Sequence, residues 1–189
     1  MRARQREAAS DAIIDAAEEV AAERGLENTS IAAIAERAGV AAGTLYNYFP
    51  DRSALLASWF AQRRKEMVPR IEAAAKEHAH LPFEQWLRAY LEDLFAVFED
   101  KRQFIRVMAS IYQKGMKIKE QRQPALLIAM MVAIQEQVRK IAPTHAEDYA
   151  RMLVGLVRGI AHWRCETGGD MSGDAALIAE TFLHGIAPR

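Results

Sequence analysis

Residues 30–49 read SIAAIAERAGVAAGTLYNYF, and the fold turns on this stretch. Ile34, Ala35, Ala38 and Val40 supply the buried face of one short helix, and small Ala35 suits a close crossing with another. Gly39 ends the first helix, because the residue past a helix end often takes a left-handed backbone that a Cβ opposes. Ala41 and Ala42 restart the chain, and a second helix runs through GTLYNYF at 43–49. At about 100° per residue, Leu45 and Phe49 fall together and plug the core. Gly43 and Asn47 fall on the opposite side, with Thr44 and Tyr46 flanking them.

Two short helices joined by a tight turn are the shape that sets a helix end in the DNA major groove. A helix this short has little reason to expose an aromatic-rich face unless that face touches something. Gly43 lets a backbone approach closely. Thr44 and Tyr46 carry hydroxyls that reach phosphates, and the Asn47 amide can pair with an adenine edge in two bonds. The expected DNA-contacting set is Ser30, Ala42, Gly43, Thr44, Tyr46, Asn47, Tyr48 and Arg52. Asn47 is the candidate for base reading, and the others position.

In these residues the chain resembles the TetR-type bacterial transcription regulators. Their usual pattern is matched by Thr29-Ser30, Ile34-Ala35, Ala38-Gly39-Val40, Gly43-Thr44-Leu45-Tyr46, Tyr48-Phe49 and Arg52, over roughly residues 10–60. Arg52 stands where the family has Lys, which keeps a positive charge for a phosphate. Ile31-Ala32-Ala33 stands where many relatives have polar residues, so the first of the two helices offers few base contacts of its own.

The chain has 189 residues, 51% of them hydrophobic, which argues for a substantial core. Six prolines and ten glycines favour long helices over many-turned sheet. No apolar run approaches the roughly 18 residues that span a bilayer, and MRARQREAASD lacks the apolar middle of a secretion signal. A single cysteine excludes an internal disulfide framework and fits a reducing cytoplasm. Net charge is zero, and residues 1–60 hold six basic against nine acidic residues. Protein–DNA interfaces are strongly positive. The acids must therefore point away from DNA, with Arg2, Arg4 and Arg6 as a flexible basic arm and a modest salt dependence of binding.

The expected organisation is all-α, about nine helices: a helix-turn-helix domain at 1–53, then a helical effector-binding and dimerisation domain at 54–189. The first helix covers about 7–24, with Ile13, Ala17, Val20 and Ala21 as its stripe. Thr29 or Ser30 caps the next helix and Asp51 caps the fourth. The run Arg63-Arg64-Lys65 is read as a solvated face. Pro69 should bend or end the fourth helix, with another helical piece at about 70–79. Helices follow at about 82–100, 102–113, 124–141, 143–167 and 174–185. The basic segment KGMKIKEQRQP, broken by Gly115, is read as a mobile connection.

Between Met152 and Trp163 the eighth helix is apolar almost all round, so it needs more partners than one small chain offers. Gly155 and Gly159 lie one turn apart. Glycine inside a helix costs about 1 kcal/mol relative to alanine, which calls for a packing reason. The resemblance implies that helices eight and nine pair with their copies in a homodimer. Tyr149, Met152, Leu153, Gly155, Leu156, Gly159, Ile160, Trp163, Ile178 and Phe182 are the expected interface. It also implies a small effector, apolar by default, held between the middle helices, whose binding shifts the fourth helix and the spacing of the two recognition helices. Trp86, Tyr90, Phe98, Phe104, Met108, Tyr112 and Met131 are the expected lining.

His162 and Cys165 share a face, but a metal needs more ligands than these two. His78 and His80 suit a helix end, where histidine is favourable. No metal or other cofactor is expected. No Gly-rich phosphate loop, HExxH or nucleophile elbow occurs, so an enzyme is not expected. The resulting expectation is a cytoplasmic, ligand-responsive repressor that binds a palindromic double-stranded DNA operator as a homodimer, without a membrane. The rival readings are a helical protein–protein interaction module that keeps the helix-turn-helix shape, and an apolar-ligand carrier.

Overall fold

The structure is a computed structural model that describes the backbone of residues 2–113 and 125–184 and the side chains of 4–111 and 125–184. Among the described residues it is all-α. The segment KGMKIKEQRQP, the expected start at Pro124, and the side chains of Arg2 and Tyr112 lie outside them.

Helix α1 runs Arg2–Arg24, so Arg4 and Arg6 belong to an exposed helical turn and not to a flexible arm. A 3-10 turn at Leu26–Asn28 leads to α2 (Ile31–Arg37), α3 (Ala42–Tyr46) and α4 (Arg52–Glu77). Then come α5 (Phe83–Asp100), α6 (Arg102–Gln113) and α7 (Ala125–Arg139). A 3-10 turn at Pro143–His145 opens α8 (Ala146–Thr167), and α9 is Asp174–His184. The chain divides into two units, residues 1–63 with 106–122, and residues 64–105 with 123–189. The chain passes between them within α4, after residue 63, and again within α6, after residue 105, where the sequence placed one boundary, after residue 53.

In the first unit α1 packs on α2, and α2 on α3. Ile13, Ala17, Val20 and Ala21 are buried as the stripe requires, with Ile34, Leu45, Phe49 and Leu55 completing the core. Arg63 is the exception to the expected solvated run. It is buried, and its Nε donates to Glu18 Oε2 at 2.6 Å. The same carboxylate oxygen accepts from Trp59 Nε1 at 2.7 Å, and Arg63 Nη2 reaches Asp15 at 2.6 Å. A buried guanidinium is tolerated only where it is paired in this way.

In the second unit α4 meets α5 through Trp86 Nε1 donating to the Ala75 carbonyl at 3.0 Å, and through Arg70–Asp100 (2.5 Å) and Lys101–Glu66 (3.1 Å). The end expected at Pro69 does not occur, because α4 continues to Glu77. Proline removes one hydrogen bond, and the buried Ile71, Ala74 and Ala75 hold the following turns in place. Helix α7 packs on α8, and α9 on both α5 and α8. Buried Asp174 opens α9 and receives the Arg164 guanidinium at 2.8 and 2.9 Å.

Candidate functional site

The turn between α2 and α3 is built from backbone. Gly39 has φ +67°, its N–H donates to Glu36 O (3.2 Å), and Val40 N–H donates to Ala35 O (3.0 Å). This pair of bonds closes a helix with a left-handed residue. Ser30 is the cap of α2, its Oγ accepting from Ala33 N–H at 3.2 Å. Thr29 is buried, and its Oγ1 donates to Gly25 O at 2.9 Å. Asp51 caps α4 by accepting from Ala54 N–H at 2.7 Å.

Helix α3 is shorter than expected and ends at Tyr46, with Asn47 as its C-cap. Leu45 and Phe49 are buried, while Ala42, Gly43, Thr44, Tyr46 and Asn47 are exposed and Tyr48 half so. Tyr46 is 53% exposed, which is high for an aromatic ring. A Cβ at Gly43 would meet nothing within 4 Å, so packing within the chain does not call for glycine there. Ser30 is exposed at the start of α2. The sequence-derived set thus forms a solvent-facing surface on and beside α3, apart from Arg52.

Arg52 is held by the chain. Its Nε donates to Thr29 O at 2.6 Å and its Nη2 to Leu26 O. Its guanidinium therefore ties the start of α4 to the 3-10 turn before α2, which revises the expectation of a group free for phosphate. Arg6, expected in a flexible basic arm, is placed instead against the end of α3: its Nη2 donates to Asn47 O at 3.1 Å and its guanidinium lies 5.7 Å from the centre of the Tyr48 ring.

Part of the acid in the first 60 residues is paired internally. Arg37 binds Glu19 at 2.9 Å and Glu23 at 2.5 Å, and this hydrogen bond holds the Glu23 carboxyl below its ordinary range. Asp15 and Glu18 bind Arg63. Four of the nine acids are thus paired within this unit, two to each of two guanidiniums.

In the second unit, a cavity of about 480 Å³ lies along α4 and α7. Val68, Ala75, Ile128, Ala129, Val132 and Ala133 supply its apolar wall, with Glu72, Lys76 and Glu136 among the polar groups. None of the expected lining residues borders it. Trp86, Tyr90, Phe98, Phe104 and Met108 are buried as core, and Met131 is half-buried. Trp86 and Tyr90 stack with ring centres 4.8 Å apart. The Tyr90 hydroxyl is buried without a hydrogen-bond partner among the described residues, and burial pushes its pKa up. The α7 part of this wall comes from the run Ala125–Ala133, which reads in the sequence as ordinary helix packing.

Helix α8 exposes Tyr149, Met152, Leu156 and Trp163, and Ile160 is half-exposed between them. Gly155 and Gly159 lie in the same row, and a Cβ on either would meet nothing. From α9, half-exposed Phe182 meets Tyr149 edge-on at 6.2 Å, and Leu177 is exposed. Leu153 and Ile178 are corrections to the expected interface: both are buried within the unit, because they fall on the faces that α8 and α9 turn toward their own neighbours.

The structure also brings Glu77, His78 and Asp93 together, with His78 Nε2 and Asp93 Oδ2 2.9 Å apart. Cys165 is buried, with its Sγ 3.8 Å from Arg102 O. No described helix is long and apolar enough to cross a membrane.

The family profile described as "Bacterial regulatory proteins, tetR family" matches residues 13–58, the segment that holds the helix-turn-helix. Over that segment the chain is similar to the TetR family of regulators. The fatty acid metabolism regulator protein of Bacillus subtilis is 43% identical over 67 residues, 35% of this chain and 34% of that protein. That match therefore spans about a third of the relative's length. The HTH-type transcriptional repressor BepR of Brucella suis is 27% identical over 98% of this chain and 96% of its own. The crystal structure of the regulator FadR from Bacillus subtilis, in complex with stearoyl-CoA, superposes with a TM-score of 0.71 at 22% identity, covering 93% of this chain and 98% of that one. The likeness in fold to that regulator therefore extends beyond the helix-turn-helix to nearly the whole chain.

Proposed function

We propose that the chain is a DNA-binding transcription repressor that works as a homodimer and is released from a palindromic operator by a small, largely apolar effector. The exposed face of α3 carries this reading. It is a five-residue helix with Leu45 buried and with glycine, hydroxyls and an amide turned to solvent. In this reading Asn47 reads a base edge. Ser30, Ala42, Gly43, Thr44, Tyr46 and Tyr48 set the approach of the helix to the backbone.

The apolar row of α8, continued by Phe182 and Leu177 of α9, serves as the dimer face, with Gly155 and Gly159 letting two helices approach closely. Exposed apolar surface of this extent on one helix face needs a cover. A two-fold axis there gives two half-sites about one helical turn, or a multiple, apart. The α4–α7 cavity is the proposed effector site, and its volume lies in the range of small-molecule pockets. The stearoyl-CoA bound to the Bacillus subtilis regulator supports a ligand with a long apolar part. Val68, Glu72, Ala75 and Lys76 belong to α4, so occupancy biases the helix that begins at the DNA-binding unit. The protein works where chromosomal DNA is, in the cytoplasm, and carries out no catalysis.

The test is a competition binding experiment with a duplex enriched by the wild-type protein from a random pool and a scrambled duplex. Asn47→Ala is expected to lose affinity for the enriched duplex and keep it for the scrambled one. Equal losses on both remove the role of Asn47 in base reading. No enrichment at all by the wild type favours the interaction-module reading.

A further inference from the structure

We propose that Arg6 determines specificity in the DNA-binding unit: its guanidinium fixes the end of α3 that carries Asn47 and at the same time presents charge to the phosphate beside it. This rests on the reading of α3 as the DNA-facing helix. One side chain, 41 residues away in sequence, touches both Asn47, through its carbonyl at 3.1 Å, and Tyr48, through its ring at 5.7 Å.

Helix α3 is too short to hold itself, since a helix of this length does not repay its own nucleation. Its last carbonyls have no partners along the helix. Leu45 O takes the N–H groups of Tyr48 and Phe49 at 3.0 Å, and Thr44 O takes that of Asn47 at 3.1 Å. Asn47 O lies just past them, and the Arg6 fork closes it. A cation is also favoured there by the helix dipole. The orientation of the Asn47 amide is thus set from α1, by a residue outside the helix-turn-helix motif.

The second role follows from comparing Arg6 with three other guanidiniums of the unit. Arg37 is bound to Glu19 and Glu23, Arg63 to Glu18 and Asp15, and Arg52 to two backbone carbonyls. Arg6 has no acidic partner among the described residues, and it is the guanidinium that reaches the end of α3. A guanidinium carries five N–H donors, and the Asn47 carbonyl takes one. The rest belong to an exposed residue, in the planar fork that suits a phosphate.

The two roles separate by substitution. Arg6→Met removes fork and charge, and Arg6→Lys keeps the charge but loses the planar fork. The readout is affinity for the enriched and scrambled duplexes across a salt series, with helix content and melting temperature followed by circular dichroism. For Arg6→Met, the slope of log affinity against log salt is expected to flatten by about two for a dimer, from one phosphate per protomer. For Arg6→Lys, the slope stays at the wild-type value while preference for the enriched duplex falls about tenfold, the size of a weakened base contact. Should Arg6→Met fail to fold, the preference measured with Arg6→Lys decides alone. Wild-type slope and preference in both variants overturn the role of Arg6 and leave the reading of α3 intact. Failure of the wild type to enrich any sequence overturns the reading of α3 itself.

Discussion

The joint between α1 and α4 rests on one buried acid, and its removal has a calculable cost. The Glu18 and Arg63 side chains are only 8% and 6% exposed, and one Glu18 oxygen serves both Arg63 Nε and Trp59 Nε1. Removing one partner of a buried ion pair costs about 3–5 kcal/mol, because the other charge stays in a poorly solvating place. Loss of the indole bond adds about 1 kcal/mol. Asp15 remains on Arg63 Nη2 and takes back part of the penalty. Glu18→Ala is therefore expected to cost about 3 kcal/mol. Arg63→Met is expected to cost about 2 kcal/mol, since Glu18 keeps its indole donor. With both changes no uncompensated charge is left, and the pair should be more stable than additivity by about 2 kcal/mol. The assay is urea unfolding followed by far-ultraviolet circular dichroism, with amide exchange of α1 reporting the local joint. Single-variant costs below about 1 kcal/mol, with strict additivity in the double variant, would refute the reasoning, since that is how an exposed pair behaves.

Two further outcomes follow from particular contacts. Arg52→Ala should lower stability by about 2 kcal/mol, from two charge-assisted bonds to carbonyls, and leave the salt slope of DNA binding unchanged; a flattened slope would return Arg52 to the phosphate. Met152→Glu should give a monomer in sedimentation with unchanged helix content, because Met152 is 60% exposed and lies in the apolar row of α8. A variant that stays dimeric places the interface elsewhere.

The helix-turn-helix was legible because three local signals agree there: a left-handed glycine, a capping serine, and a helix whose two large apolar residues share one face. The exposed apolar row of α8 was legible in part. A helix apolar all round announces an extra partner, but not which of Leu153 and Met152 faces inward, since this depends on how α7 and α9 sit against α8. Arg63 was misread because a run of three cations looks solvated. The available signal was Glu18, an acid spaced four from Ile14 and three from Ala21 on the buried stripe of α1. The lining of the cavity was not legible at all. Aromatic residues of α5 fill space, whereas a void is left by small residues of α4 and α7, and periodicity cannot distinguish the two. Arg6 was read as part of a basic arm, but its contact with α3 was not legible, because its partner is a backbone carbonyl 41 residues away, which leaves no pattern in the sequence.

The central claim is that two copies of the exposed α3 face meet one duplex at helical pitch. A hydroxyl-radical footprint of the wild-type protein on its enriched duplex tests this most directly. Two protected patches, related by a dyad and about one DNA turn or a whole multiple apart, are the predicted result. A single patch without symmetry, or uniform protection regardless of sequence, would contradict it.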